Sequence, residues 1–263
     1  MKKFFLLLIF FVVTYAYQVS VSILPQKFVV DFIGGNKIDV NVMVPKGASP
    51  AIYSPKTQQL LNLKKSLIYF KIGVPFEKAW LSKFRAVNPK MKIVDFGENL
   101  IKNSNPHIWL DPIFLISEAE VVYKNLSKID PKNRDFYLSN FEKFKKLSLK
   151  IDKKIKTILN SLKNRKFIIF HPNLYYFAKR YNLTEIALEK EGKEPSFRYL
   201  IKIIKIAKEN NIKVVFTAPE FSKKSAQFLA TKIGAKVVDF SALEYDIFKN
   251  LIKVSKILND IKN

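Results

Sequence analysis

The chain has 263 residues, 48% of them hydrophobic and 26% charged, and a formal net charge of +24. That composition is globular and excludes a disordered tail, a collagen-like chain or a low-complexity repeat. With no cysteine and only two histidines, His107 and His171, it also excludes a disulfide framework, a thiolate metal site and a cysteine nucleophile within these residues.

Lys2 and Lys3 precede an apolar run from Phe4 to Val13, which ends at Thr14-Tyr15-Ala16. A basic start, a short apolar core and small closing residues predict a secretory signal peptide over residues 1–16. The apolar run rises about 15 Å as a helix, half a hydrocarbon core, so a spanning anchor is not expected. The mature chain is expected to begin at Tyr17 and to be exported, periplasmic, soluble and free of a lipid anchor.

The spacing then predicts a strand from Val19 to Leu24, closed by Pro25. A helix follows from Gln26 to Ile33, stopped by Gly34-Gly35. Ile38 to Val44 reads as a strand, and Pro45 to Pro55 as a Gly- and Pro-rich loop. Lys56–Lys65 is a helix, Ser66–Phe70 a strand, Phe76–Arg85 a helix and Lys92–Asp95 a strand. After a loop around His107, Pro112–Leu126 is helical. Strand and helix alternate, which predicts a parallel sheet.

Residues 131–163 contain no glycine and no proline beyond Pro131. Phe136, Phe141, Phe144, Leu147, Ile151, Ile155, Ile158 and Leu162 recur at helical spacing, which predicts one amphipathic helix of about 45–50 Å. The second block repeats the first. Strands are expected at Lys166–Phe170, Thr184–Leu188, Lys213–Thr217 and Lys236–Phe240. Helices are expected at Leu174–Tyr181, Ser196–Asn210, Lys223–Ile233 and Tyr245–Ile261. The fold class is therefore α/β, with two lobes, each a mostly parallel sheet flanked by helices. The N-terminal lobe covers 17–130, a rigid connecting helix 131–165 and the C-terminal lobe 166–263. A ligand is expected in the cleft between lobes, beyond the carboxyl ends of the strands.

The charge excess is densest in residues 131–165, with 11 basic and 3 acidic side chains. A solvated lysine-rich helix face accounts for it. A polyanionic partner is the functional alternative. Export and the lack of a recognition motif argue against nucleic acid. Attraction to an acidic membrane face would vanish with added salt.

His107 lies in the loop Asn105-Pro106-His107-Ile108-Trp109-Leu110-Asp111-Pro112, and His171 directly follows a predicted strand. Both positions suit a cleft edge, and neutral imidazole is a good ligand for zinc and related divalent ions. A hydrogen-bonded surface role is the alternative for each. Asp111 either caps the following helix or orients His107.

Several strings carry a family resemblance. They are Ser22-Ile23-Leu24-Pro25 with Gly34-Gly35, Val42 to Pro50, Pro106-His107-Ile108-Trp109-Leu110-Asp111-Pro112, Phe170-His171-Pro172, Glu191 to Ser196, and Pro219-Glu220-Phe221-Ser222. In this order the chain resembles the zinc/manganese (ZnuA/TroA-like) solute-binding proteins of ABC transporters. The resemblance implies two lobes bridged by a long helix, a divalent transition metal (zinc or manganese) as the transported ligand, a membrane permease as partner, a monomer, and no enzymatic reaction. It also implies four ligand positions. His107 and His171 match two of them. Ala51 stands where a histidine belongs, and Ser241 where an aspartate belongs. Glu220 and Asp239 are the candidate substitutes. The two losses also raise an alternative ligand, a metal chelate or a small organic molecule. No nucleophile elbow or H-E-x-x-H helix is present, so a hydrolase is not expected.

Overall fold

Tyr17–Val21 (β1) buries Val19, Ser20 and Val21 alike, the mark of a strand covered on both faces. It pairs in parallel with Ile38–Val42 (β2) and Ile68–Lys71 (β3), and β3 pairs with Lys92–Asp95 (β4). The sheet order is β2-β1-β3-β4. The computed structural model describes residues 16–98, 100, 105–189 and 193–260. The expected signal peptide up to Tyr15, and Glu191, lie outside them.

The first helix, α1 (Leu24–Gly34), begins before Pro25 rather than after it. Proline is tolerated in a first helical turn because its missing N–H would be unpaired there anyway. The strand stops early because Ser22 and Ile23 donate their N–H groups to Gln26 Oε1, at 2.9 and 3.2 Å. Helices α2 (Thr57–Lys65), α3 (Pro75–Val87) and α4 (Phe114–Ile129) complete this half.

The connecting helix α5 spans Arg134–Leu159, 26 residues, about 39 Å at 1.5 Å per residue. It is shorter than its apolar periodicity predicts. Pro131–Asn133 form a separate 3₁₀ turn, held by Asp130 Oδ2, which accepts from Asn133 Nδ2 at 2.6 Å and Tyr137 OH at 2.7 Å. At the far end, Arg165 donates to the carbonyl of Leu159 at 3.2 Å.

The second sheet repeats the first. Lys166–Ile169 (β5), Thr184–Ala187 (β6), Val214–Thr217 (β7) and Lys236–Asp239 (β8) are all parallel, in the order β6-β5-β7-β8. Its helices are α6 (Tyr175–Arg180), α7 (Phe197–Glu209), α8 (Lys224–Ile233) and α9 (Ile247–Asp260). The topology matches the expected two parallel sheets with a long helix between them.

One apolar core runs from Val19 in β1 through Phe144 and Ile155 of α5 to Phe167, Phe216 and Leu251. Phe28 of α1 meets Phe248 of α9 edge-on at 5.4 Å, and Phe144 contacts Phe248 at 5.1 Å. A second core lies between the other face of the second sheet and α7 and α8. Among the described residues no helix is long and apolar enough to cross a membrane.

Candidate metal centre

The carboxyl ends of both sheets supply the site. His107 precedes a 3₁₀ turn, Ile108–Leu110. That turn is fixed by Trp109, whose indole N–H donates to the carbonyl of Ala242 at 2.7 Å, across the two halves. His171 lies two residues beyond the end of β5. The two imidazole rings stand 5.3 Å apart, centroid to centroid, at 72°.

Each ring is oriented through Nδ1. His107 Nδ1 lies 2.7 Å from Asn105 Oδ1, and His171 Nδ1 lies 2.7 Å from Glu189 Oε1. Both partners present an oxygen, so Nδ1 is the donor in each pair. This is the arrangement by which an oxygen fixes the tautomer of a metal-ligating histidine and raises its basicity. Burial, reinforced by the neighbouring His171, pushes the His107 imidazole down to about 3. It is thus neutral and needs to lose no proton to ligate. Phe221 stacks on His171 at 5.1 Å.

The histidines open on a cavity of about 400 Å³ whose walls are largely apolar, among them Ile52, Val74, Trp109, Phe221 and Leu243. Ala51 lines it with a methyl group that has no lone pair to give. Glu220 lines it too. Its Oε1 accepts a hydrogen bond from Ser241 Oγ at 2.9 Å. Asn173 projects a buried Oδ1 with no hydrogen-bond partner among the described residues. Asp239 lies elsewhere. It pairs with Lys223 at 2.7 Å and borders a separate cleft with Lys249 and Lys253. Among the described residues no three His, Asp or Glu side chains converge closely enough to hold an ion.

Asp111 is the N-terminal anchor of α4. Its Oδ1 accepts from the N–H of Ile113 at 2.8 Å and of Phe114 at 3.3 Å, and from Arg180 Nε. The Nδ1 partner of His107 is Asn105. Sequence reasoning passed over Asn105, Glu189 and Phe221. One signal was available for Glu189: β5 and β6 pair Ile169 with Ala187, so residues two beyond each strand end, His171 and Glu189, fall side by side. The same extension from Thr217 opposite Asp239 sets Pro219 beside Ser241, and Glu220, one residue further on, reaches Ser241 through its side chain.

Comparison with known proteins places the chain in a family. The family model described as "Zinc-uptake complex component A periplasmic" matches residues 19–249. The high-affinity zinc uptake system protein ZnuA of Bacillus subtilis is 26% identical over 80% of this chain and 73% of its own length. The manganese ABC transporter substrate-binding lipoprotein PsaA of Streptococcus pneumoniae is 26% identical over 73% of this chain and 70% of its own. A crystal structure of ZnuA superposes with a TM-score of 0.90 at 38% identity, covering 94% of this chain and 99% of that one. The chain belongs to the ZnuA family of metal-binding receptors for ABC transporters, which bind and deliver their cargo and catalyse no reaction.

Proposed function

We propose that this protein captures zinc in the His107–His171 cavity, in the periplasm, and passes it as a monomer to the permease of an ABC transporter. The observation that carries the reading is the pair of imidazoles 5.3 Å apart, each with Nδ1 engaged by an oxygen. Imidazole favours zinc, whereas manganese prefers oxygen donors. Glu220 supplies a third donor when the cleft tightens, its Oε1 steadied by Ser241 and its Oε2 turned to the ion. Water takes the fourth position. Three protein ligands predict weaker binding than a four-ligand relative achieves. Calorimetric titration of the chelator-stripped protein with zinc and manganese tests this. One-to-one zinc binding that is lost in His107→Ala/His171→Ala is expected. Zinc binding unchanged in that double variant would overturn it.

A second reading rests on the cavity itself. Its volume of about 400 Å³ far exceeds the roughly 30 Å³ that one water molecule occupies in the liquid, and its walls are mostly apolar. Such a space suits a metal chelate that brings its own donors and an organic body. Mass spectrometry of protein purified without added metal distinguishes the two, since an organic molecule leaving with the metal supports the chelate.

A further inference from the structure

The outward face of α5 is not explained by metal capture. Lys143, Lys146, Lys150, Lys153 and Lys154 are all exposed. Steps of three and four residues place them on one stripe, opposite the buried Tyr137, Phe144, Ile151 and Ile155. The stripe runs about 16 Å at 1.5 Å per residue. Among the described residues none of the five forms an ion pair, and the ion pair on this helix, Lys156 with Asp152, lies beside the stripe. The exposed acids of the helix are Asp135 and Glu142, and Glu142 sits one turn before Lys146, at the start of the stripe, against the five lysines. Leu149 stands among the lysines with 48% of its surface exposed.

We propose that this lysine ridge docks the receptor on an anionic lipid surface. A strong excess of unpaired lysines along a stiff helix matches a plane of anionic headgroups. Leu149 favours a bilayer over a nucleic acid or acidic polysaccharide, because an aliphatic side chain gains free energy only where acyl chains lie beneath the charges. The family's delivery partner is a membrane transporter, so lateral diffusion on the membrane shortens the search for it. Several curated relatives are described as lipoproteins, including that of Lactococcus lactis. An electrostatic hold of this kind needs no lipidated residue.

The test is co-sedimentation of the purified protein with vesicles of phosphatidylcholine, alone or with about a third phosphatidylglycerol, at low and high salt. Binding is expected on the anionic vesicles alone and should fall steeply with salt, since the Debye length shrinks to about 3 Å at 1 M. K143Q/K146Q/K150Q/K154Q should weaken it by about tenfold or more. L149S should weaken it severalfold without any change of charge. K202Q/K208Q/K224Q/K236Q removes equal charge from the C-terminal half and should bind nearly as the parent does. Equal losses in the two quadruple variants would overturn the proposal in favour of diffuse charge. So would absence of binding to anionic vesicles at low salt, or ridge-dependent binding to heparin without any to vesicles. Unchanged melting temperatures and zinc titrations establish that the variants remain folded and functional.

Discussion

Ser241 Oγ donates to Glu220 Oε1 at 2.9 Å, so a hydroxyl beyond the end of β8 steadies a carboxylate beyond the end of β7. Removing the carboxylate should cost more than removing the support. Glu220→Gln is expected to weaken zinc binding about tenfold or more, and Ser241→Ala about threefold, where each decade corresponds to about 1.4 kcal/mol. Calorimetry on both variants checks this, and a Glu220→Gln affinity equal to the parent's would remove Glu220 from the donor set.

Ala51 lines the same cavity as the histidines, and its methyl group has no lone pair to give. Ala51→His should add a third imidazole and tighten zinc binding by roughly tenfold to a thousandfold, one to three decades of affinity. Competition against a chromophoric chelator reads this directly. No gain would mean that the loop from Gly47 to Ile52 does not close toward the histidines.

Glu189 is nearly fully buried, its side chain 4% exposed, and its one described role is the bond to His171 Nδ1. Glu189→Gln keeps an acceptor but removes the charge that makes Nε2 more basic. The expected loss in zinc affinity is about tenfold, within the 10- to 100-fold range seen when such supporting partners are removed. Unchanged far-UV circular dichroism would separate this from unfolding, and an unchanged affinity would reduce Glu189 to a structural group.

Glu185 in β6 gives a pH dependence with a definite sign. Burial lifts its carboxyl to about 7, against the opposing hydrogen bonds from the N–H groups of Leu174 and Asn173. The folded state therefore holds a proton that the unfolded state has released between about pH 4.5 and 7, and unfolding free energy falls as pH rises through that window. Glu185→Gln keeps an acceptor for Leu174 N–H, now 2.9 Å away, and removes the titration. It should leave stability near pH 4.5 almost unchanged and raise it by roughly 2 kcal/mol at pH 8, at 1.36 kcal/mol per pKa unit with allowance for partial exposure. Urea unfolding at the two pH values measures the difference, and equal shifts at both would show that Glu185 does not titrate in this window.

The alternation of strand and helix made the parallel sheets legible, because each element has its own hydrophobic period. The start of α1 was hidden because a proline reads as a stop, whereas the Gln26 side chain closes the turn ahead of it. The length of α5 was overstated because apolar spacing persists through Leu162, while Asp130 and Arg165 end the helix by side-chain hydrogen bonds that have no period. His107 and His171 were legible as residue types at strand and loop ends. The partner of His171, Glu189, was not, since pairing across a parallel sheet depends on register between strands 18 positions apart, whereas Asn105 meets His107 within a single loop, two residues away.

The apolar core joining β1, α5, β5, β7 and α9 also governs how the molecule comes apart. The last helix seals the first lobe through Phe248 against Phe28, so neither half can melt without exposing the other's aromatic side chains to water. Thermal or urea denaturation should therefore appear as a single cooperative transition, coincident by fluorescence and circular dichroism. A fragment ending after α5 would lack its cover and would aggregate rather than fold.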